Sequence, residues 1–329
     1  MKKIVITGGA GFIGSHIVDH FVEQYPDAQI TVLDKMTYAA DIQNILHHIE
    51  NKRIKLCVHD VRNLDKCLET LDGADLLIHA AAESHVDNSF GNSLEFSKTN
   101  VLGTHALMEA ALKASVPRIL HISTDEVYGE ILEGRVDESA RLQPTNPYSA
   151  SKAAADMIIS GYRQSFNLPV ITVRSNNIFG VRQFPEKILP KFLMLMMTGQ
   201  KLTIHGTGEN KRHFLAAQDL CAALDLLVQK GEIGEIYNIG TTDEYKNIEV
   251  AHMICDIFGK DPEEFITYIE DRPFNDARYA ISWDPITALG WAPKHFLKDE
   301  LGNLARWYAE NFERYAEEGQ SKVQQPKAA

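Results

Sequence analysis

The stretch Ile4-Val5-Ile6-Thr7-Gly8-Gly9-Ala10-Gly11-Phe12-Ile13-Gly14 decides the fold of this chain. Its first four residues are apolar or β-branched, which predicts a buried strand, and an apolar-periodic helix follows the glycines. Gly9, Gly11 and Gly14 match the GxGxxG spacing, and Gly8, Gly11 and Gly14 match GxxGxxG equally well. Because the glycines lie between a strand and a helix, they predict a dinucleotide pyrophosphate site rather than a plain tight turn.

Strands and helices alternate from this turn onward. The strand-like segments are Ile30–Asp34, Ile54–Val58, Leu76–Ala80, Arg118–Ser123 and Pro169–Val173, and the helical ones lie near Asp41–Glu50, Leu64–Leu71, Ser97–Ala114 and Tyr148–Phe166. The strands are apolar on both faces, which predicts a parallel sheet covered by helices on both sides. The expected fold class is α/β, a doubly wound parallel Rossmann sheet with a smaller, mostly helical C-terminal lobe.

Length and composition indicate two lobes. The chain has 329 residues, more than one compact core usually holds. We expect a dinucleotide-binding domain over residues 1–180 and a substrate-binding lobe over 181–316, with some segments of that lobe returning to the sheet. The polar tail over 317–329 is expected to be frayed.

Charge and hydropathy exclude several functions. There are 45 Asp and Glu residues against 33 Lys and Arg, a net charge of −12, which argues against nucleic-acid binding. We expect no contact with membranes, because no segment reaches the apolar length of a membrane helix and no signal peptide precedes the first strand. The four cysteines lack CxxC spacing, so we expect a cytoplasmic protein with reduced thiols and no metal site.

Acidic and small residues at the strand ends indicate the type of cofactor. Asp34 ends the second strand, 20 residues beyond Gly14, where a carboxylate binds both ribose hydroxyls of NAD and repels the 2′-phosphate of NADP. Lys35 follows directly, but NAD remains the favoured cofactor. Asp60, after the third strand, is expected either to bind the adenine amine or to cap the following helix. Ala80, Ala81 and Ala82 are small enough for a cofactor to lie against the backbone.

A second group of residues predicts the chemistry. Tyr148 and Lys152 share one helix face, so the ammonium is expected to lower the pKa of the phenol, which then acts as a base. Thr124 would complete this relay. Asp125 and Glu126 follow the fifth strand, where open α/β sheets bind ligands. Oxidation alone needs neither carboxylate, whereas elimination of water needs both an acid and a base.

These motifs resemble the extended short-chain dehydrogenase/reductase superfamily and, within it, the dTDP-glucose 4,6-dehydratase family of nucleotide-sugar dehydratases. The resemblance covers nearly the whole chain. The glycine turn and the YSASK motif at 148–152 mark the superfamily. The motifs AAESHVD at 81–87, STDEVYG at 123–129 and FPEK at 184–187 are much more specific for the dehydratases.

The resemblance implies a complete reaction. Tyr148 would take the proton of the sugar 4-hydroxyl during oxidation by NAD, assisted by Lys152 and Thr124. Glu126 would remove the C5 proton, Asp125 would protonate the departing C6 hydroxyl, and hydride would return to C6. The product is a 4-keto-6-deoxy sugar, and NAD stays tightly bound through each cycle. The resemblance also implies a homodimer, in which the helices at Ser97–Ala114 and Tyr148–Phe166 are expected to pair.

The residues expected to contact ligands follow from the motifs and the resemblance together. Those expected at NAD are Gly8, Gly11, Phe12, Ile13, Gly14, Asp34, Lys35, Asp60, Val61, Ala80, Ala81, Ala82, Thr99, Ser123, Tyr148 and Lys152. Those expected at the nucleotide-diphosphate hexose are Ser84, His85, Thr124, Asn177, Glu186, Lys187, Arg212, Asn247, Arg272 and Asn275.

Departures from the family pattern keep the substrate open. The family usually has an acidic residue and Trp after the arginine of Arg212-His213-Phe214, and Gly-His in place of Phe274-Asn275. The substrate is therefore dTDP-glucose by preference, with UDP, CDP or GDP sugars as alternatives. A 4-epimerase or decarboxylase of the same superfamily is the alternative reaction, and a non-catalytic NAD-bound sensor is the alternative from another class.

Overall fold

The computed structural model describes residues 1–316, so the tail predicted over 317–329 lies outside the described residues. The described strands are β1 (Lys3–Thr7), β2 (Gln29–Asp34), β3 (Ile54–Val58), β4 (Leu76–His79), β5 (Ile119–Thr124), β6 (Val170–Ser175), β7 (Asn177–Phe179), β8 (Leu202–His205), β9 (Lys211–Ala216), β10 (Ile236–Ile239), β11 (Glu244–Lys246) and β12 (Ile266–Ile269).

The described helices are α1 (Phe12–Gln24), α2 (Leu46–Glu50), α3 (Leu64–Leu71), α4 (Val86–Gly91), α5 (Ser93–Phe96), α6 (Thr104–Lys113), α7 (Pro147–Phe166), α8 (Ile188–Met197), α9 (Ala217–Lys230), α10 (Asn247–Ile257), α11 (Pro262–Phe265), α12 (Asp284–Ala288) and α13 (Leu297–Glu310). A π-helical segment, Ser97–Gly103, joins α5 to α6, and Ile42–Asn44 and Asp125–Tyr128 form 3₁₀ turns.

A seven-stranded sheet forms the centre of the molecule, in the order β10-β6-β5-β4-β1-β2-β3 with every pair parallel. The chain first winds from β1 to β3 and then continues from β4 on the other side of β1. Ligands of such sheets bind where this direction reverses, beyond the carboxyl ends of the strands. Thr7 and His79 are register partners, so the chain leaves β1 and β4 side by side at this point.

Helices cover both faces of the sheet, which explains why most of its strand residues are apolar on both faces. Residues such as Ile6, Leu120 and Val173 belong to a core packed against α1 and α9. On the opposite face, Val5 and Ile119 contact a core that includes residues of α3, α6 and α7. The fold class predicted from the sequence is confirmed.

The C-terminal part of the chain builds a second core from α8, α10, α13 and the strands β8 and β9. Two smaller sheets lie in this part, β11-β9-β7 and β12-β8. The segment carrying α9 and β10 returns to the large sheet, where β10 pairs with β6.

Two predicted elements differ from the observed ones. The helix expected over Asp41–Glu50 is broken, because the Asp41 side chain accepts the N–H of Gln43 and starts a 3₁₀ turn, and non-helical Ile45 separates that turn from α2. The helix expected from Ser97 begins earlier, with α5, and contains the π-helical segment. Within residues 1–316, no helix is both long and apolar enough to cross a membrane.

Candidate active site

A cleft of about 400 Å³ opens at the carboxyl ends of β1, β4 and β5 and extends to residues of α8 and β8. Every residue that the sequence analysis assigned to cofactor, substrate or catalysis lines this cleft, except Asp125. Asp125 lies just behind the wall, with 2% of its surface exposed. The fold therefore brings residues from position 8 to position 275 around one space.

The turn after β1 forms one end of the cleft, where the backbone packs too closely for side chains. Gly8 has a φ of +71°, and a Cβ on it would lie 2.8 Å from the backbone of Ala81. A Cβ on Gly14 would lie 1.9 Å from the carbonyl oxygen of Gly8. Among the described residues, no side chain caps α1, so the amide groups of its first turn are free to bind an anion. This cradle fits a pyrophosphate.

Asp34 is held rigidly at the end of β2. Its Oδ2 accepts the N–H of Ala10 at 2.9 Å, and its Oδ1 accepts the N–H of Met36 at 2.8 Å. Burial raises the pKa of Asp34, against the opposing effect of these backbone hydrogen bonds. The carboxylate therefore has a fixed orientation beside the glycine turn, as a ribose-binding group requires.

Asp60 lies beyond Asp34 and is paired with two cations. Lys35 Nζ lies 3.1 Å from its Oδ2, and Arg62 Nη2 lies 2.6 Å from the same oxygen. Burial acts in the opposite direction, yet hydrogen bonds from Arg62 and Lys35 lower the pKa of Asp60 to about 2. Asn63 caps α3, so the alternative role of Asp60 as the helix cap is wrong. The sequence analysis missed Arg62, which no spacing rule identifies.

Tyr148 lies in the first turn of α7, whose N-terminus Asn146 and Ser149 stabilise through a reciprocal capping box. Both Tyr148 and Thr124 line the cleft, and the Thr124 side chain acts to lower the pKa of the Tyr148 phenol. One turn further, Lys152 Nζ donates to the carbonyl oxygen of Ile122 at 2.7 Å. The relay predicted from Tyr148, Lys152 and Thr124 is thus assembled around the end of β5.

The chain's own groups oppose ionisation of Tyr148. Burial raises the pKa of its phenol, and the charges of Glu126, Asp125 and Asp156 act in the same direction. The expectation that the charge of Lys152 lowers this pKa stays a prediction.

Asp125 and Glu126 begin a 3₁₀ turn directly after β5, where Thr124 Oγ1 accepts the N–H of Glu126 at 3.2 Å. Burial raises the pKa of Asp125 to about 7, although Asn176 Nδ2 donates to its Oδ2 at 2.7 Å and opposes this shift. Burial also raises the pKa of Glu126, with Arg212 acting against it. Asp125 can thus carry a proton near neutral pH, as a general acid must.

Cations line the far side of the cleft, and two of them, Arg272 and Lys187, already have partners within the protein. Arg272 Nε lies 2.6 Å from Asp87 Oδ1, and Arg272 Nη2 donates to Asp87 Oδ2 at 3.1 Å. This two-point ion pair joins α4 to the C-terminal lobe. Lys187 Nζ donates to the carbonyl oxygen of Ser84 at 2.6 Å, and burial lowers the pKa of Lys187.

The remaining predicted substrate residues lie on the same side. His85 Nδ1 lies 3.5 Å from Glu186 Oε2, and burial lowers the pKa of His85 to about 3, so its ring is neutral near pH 7. Asn177 is the first residue of β7, and Asn247 is the first residue of α10. Both line the cleft.

Arg212 belongs to a group that the sequence analysis identified only in part. It donates to the carbonyl oxygen of Asp276 at 2.9 Å and to Asn275 Oδ1 at 3.2 Å, and its guanidinium lies 4.8 Å from the centre of the Tyr279 ring. The Tyr279 hydroxyl is hydrogen-bonded to Asp276 and lies 3.4 Å from Glu126 Oε2. Asp276 and Tyr279 line the cleft but were not among the predicted site residues.

Comparison with known proteins agrees with this geometry. A family model described as GDP-mannose 4,6 dehydratase matches residues 5–302. The chain is 45% identical, over 94% of its length, to the trifunctional UDP-glucose 4,6-dehydratase/UDP-4-keto-6-deoxy-D-glucose 3,5-epimerase/UDP-4-keto-L-rhamnose-reductase RHM2 of Arabidopsis thaliana, but spans only 47% of that protein. It is 41% identical to the dTDP-D-glucose 4,6-dehydratase of Mus musculus, covering 94% of this chain and 90% of that one.

A solved structure shows the same likeness. The dTDP-glucose 4,6-dehydratase of Streptomyces venezuelae, crystallised with NAD, has a TM-score of 0.92 and 37% identity, covering 95% of this chain and 98% of that one. The fold and the cleft thus define an extended short-chain dehydrogenase/reductase. The chain belongs to the GDP-mannose 4,6-dehydratase family, so the predicted resemblance to nucleotide-sugar 4,6-dehydratases is confirmed.

Proposed function

We propose that this protein is an NAD-dependent nucleotide-sugar 4,6-dehydratase, which converts a nucleotide-diphosphate hexose to its 4-keto-6-deoxy derivative and water. The observation that carries the proposal is the buried Asp125–Glu126 pair next to Tyr148. Both carboxyl groups have raised pKa values, and Asp125 titrates near neutrality. A 4-epimerase has no use for a second buried acid, whereas elimination of water requires it.

The chain's own residues carry the proton transfers. Tyr148 accepts the proton of the sugar 4-hydroxyl, and Glu126 removes the C5 proton that the new 4-ketone has acidified. Asp125 supplies the proton for the departing C6 hydroxyl. Because Thr124 Oγ1 lies 3.3 Å from Asp125 Oδ1 and lines the cleft, we propose that this proton passes through the Thr124 hydroxyl.

NAD fits the other half of the cleft. The glycine cradle accepts a pyrophosphate, and the fixed Asp34 carboxylate suits two ribose hydroxyls better than a 2′-phosphate. When bound, NAD supplies the hydride acceptor and donor of the reaction. The Streptomyces venezuelae dehydratase, to which this chain is similar, was crystallised with NAD.

We propose dTDP-glucose as the substrate, with UDP-glucose as its competitor, because relatives named for both activities match the chain. Arg212, Arg272 and Lys187 face the cleft and suit a diphosphate. The two substrates differ by the methyl group on the base and by the 2′-hydroxyl of the ribose. Neither group carries a charge, so the charge of the cleft does not distinguish the two substrates.

Mass spectrometry of separate reactions tests the proposal. The purified protein is mixed with NAD and with dTDP-glucose, UDP-glucose, UDP-GlcNAc, CDP-glucose or GDP-mannose in turn. We expect the loss of one water from dTDP-glucose or UDP-glucose, and the faster reaction identifies the nucleotide. A changed sugar configuration at constant mass would contradict the proposal and indicate an epimerase. Unchanged sugars in every reaction would favour a non-catalytic protein.

We also propose that the protein forms a homodimer through α5, α6, α7 and the π-helical segment. Four large apolar side chains are exposed there: Leu94 by 71%, Leu102 by 54%, Met157 by 57% and Phe166 by 55%. A second copy would cover this patch. Light scattering of the protein should give twice the mass of one chain. The double variant Leu102→Lys with Met157→Lys should give the mass of a single chain. Ile233→Lys, on an exposed residue outside this patch, should leave the mass unchanged.

A cytoplasmic location is our last proposal about function. All four cysteines, Cys57, Cys67, Cys221 and Cys255, are free thiols. Reduced thiols are typical of a reducing compartment. Cell fractionation with an antibody to the protein tests this location, and recovery in the membrane or secreted fraction would contradict it.

A further inference from the structure

Asp156 extends the row of catalytic side chains on α7. Tyr148, Lys152 and Asp156 follow one another at intervals of four residues, so their side chains lie along one face of the helix. All three are buried, Asp156 with 4% of its surface exposed. The proposed reaction does not use Asp156, and a buried carboxylate is unfavourable unless a charge compensates it.

Two side chains contact Asp156 away from the cleft. Arg174 Nε donates to its Oδ2 at 2.9 Å, and His121 Nε2 lies 3.4 Å from its Oδ1. Burial lowers the pKa of His121 to about 4, so the ring is neutral near pH 7. Burial alone would raise the pKa of Asp156, but His121, Arg174 and Lys152 lower it, and Asp156 is therefore a carboxylate.

Asp156 lies one helical turn from Lys152 on the same face of α7, so its charge acts on the Lys152 ammonium. Burial lowers the pKa of Lys152 to about 8, and the charge of Asp156 is what acts against this shift. The titratable and charged groups that face Lys152 from the packed elements are Tyr148 and Asp156 on α7, His121 on β5 and His79 on β4, with Arg174 of β6 behind Asp156. Of these groups in the described part of the chain, Asp156 is the one that carries a negative charge.

We propose that Asp156 is a positioning residue whose buried carboxylate keeps Lys152 protonated beside the reacting phenol of Tyr148. The charge on Lys152 then counteracts the three carboxylates that oppose ionisation of that phenol, which are Glu126, Asp125 and, less strongly, Asp156 itself. The alternative is that Asp156 serves only as the counter-ion of Arg174 and has no effect on Lys152. The role of Tyr148 rests on the proposed function, but the state of Lys152 can be measured without turnover.

Competitive labelling of lysines measures the proton of Lys152 directly. Trace acetic anhydride is applied between about pH 6 and pH 10, and peptide mass spectrometry follows acetylation of Lys152, because only the neutral amine reacts. In the unaltered protein we expect a midpoint near 8. In Asp156→Asn the midpoint should fall by about one pH unit or more, since an adjacent opposite charge shifts a pKa by roughly 1–3 units. Labelling of Lys152 at pH 7 should then rise several-fold.

A matched control separates charge from packing. His121→Asn removes a buried partner of Asp156 but keeps the carboxylate, so the Lys152 midpoint should stay where it was even if the protein is less stable. If Asp156→Asn fails to fold because Arg174 loses its counter-ion, the double variant Asp156→Asn with Arg174→Met removes both charges. An unchanged midpoint in the folded single or double variant would overturn the proposal.

The pH profile of turnover gives a second measurement. Activity that needs protonated Lys152 is lost as pH rises through its pKa, so the basic limb of kcat/KM should move to lower pH in Asp156→Asn by the same amount as the labelling midpoint. Asp156→Glu, which restores the charge, should move it back. If no sugar nucleotide reacts, the proposed function fails while labelling still decides the role of Asp156.

Discussion

The cofactor half and the substrate half of the cleft are built in different ways. On the cofactor side, the shape comes from backbone packed on backbone at Gly8 and Gly14, and from Asp34 bound to two amide groups. On the substrate side, it comes from long charged side chains bound to other groups of the protein, such as Arg272 to Asp87.

This difference has a functional consequence. A backbone cradle keeps its shape whether or not a ligand is bound, which suits a cofactor that stays through every cycle. Paired side chains can exchange partners, so we expect an incoming diphosphate to replace Asp87 at Arg272. That exchange suits a substrate that must bind and leave. The catalytic groups lie where the two halves meet, around the end of β5.

Asp125→Asn should have the largest effect, because it removes the acid at this meeting point. Dehydration should slow by about 100- to 10,000-fold, while oxidation at C4 is retained. Stopped-flow absorbance of the reduced nicotinamide, together with product mass, separates the two steps. Asp65→Asn, on the exposed surface of α3, is the matched control. A normal rate of water loss in Asp125→Asn would disprove its role as the acid.

Asp125→Asn should also change the thermal stability of the protein in a way that depends on pH. Burial raises the pKa of folded Asp125 from 3.8 to about 7, so its folded state favours the neutral acid. The contribution of Asp125 to stability is therefore fully present below its unfolded pKa and is lost as pH rises through the folded pKa near 7. Asp125→Asn, which carries no charge, should melt at a higher temperature than the native protein at pH 8 and show no such advantage at pH 4.

Gly14→Ala should break the cofactor half and leave the substrate half intact. Its Cβ would overlap the Gly8 carbonyl, and overpacking of this kind costs about 1–3 kcal/mol. If that cost falls on the cofactor-binding conformation, NAD binding should be roughly 5- to 150-fold weaker. Titration calorimetry with NAD and, separately, with a nucleoside diphosphate measures both halves. Gly161→Ala, where a Cβ would meet nothing within 4 Å, is the control. Unaltered NAD affinity in Gly14→Ala would mean that the cradle does not bind the pyrophosphate.

Asp87→Asn should have the smallest effect of these variants, and it should lower the KM for the substrate rather than impair the protein. It releases Arg272 from its ion pair, whose two side chains are 27% and 36% exposed, so the gain for a diphosphate is modest, about two- to fivefold in KM. Arg272→Gln should instead raise KM. A higher KM in Asp87→Asn would show that Asp87 orients Arg272 rather than competing for it.

Local spacing predicted most of the cofactor half and of the catalytic relay. The glycine turn, Asp34 and the Tyr148–Lys152 pair each depend on residues close together in the chain, so periodicity suffices. The break at Asp41–Glu50 was missed because an Asp side chain that caps a turn resembles one inside a helix. Arg62 was missed because its partner Asp60 is defined by contact and not by a pattern.

The chain's sequence alone thus determined the parallel sheet, the dinucleotide turn and the types of catalytic group, because these follow from side-chain periodicity and from intervals of up to 20 residues. Only the tertiary structure decided what those groups do to one another. Asp87 meets Arg272 across 185 residues of chain, and Tyr279 meets Glu126 across 153. Burial, which no local pattern specifies, brings the pKa of Asp125 close to neutrality and lowers the pKa of Lys152 to about 8.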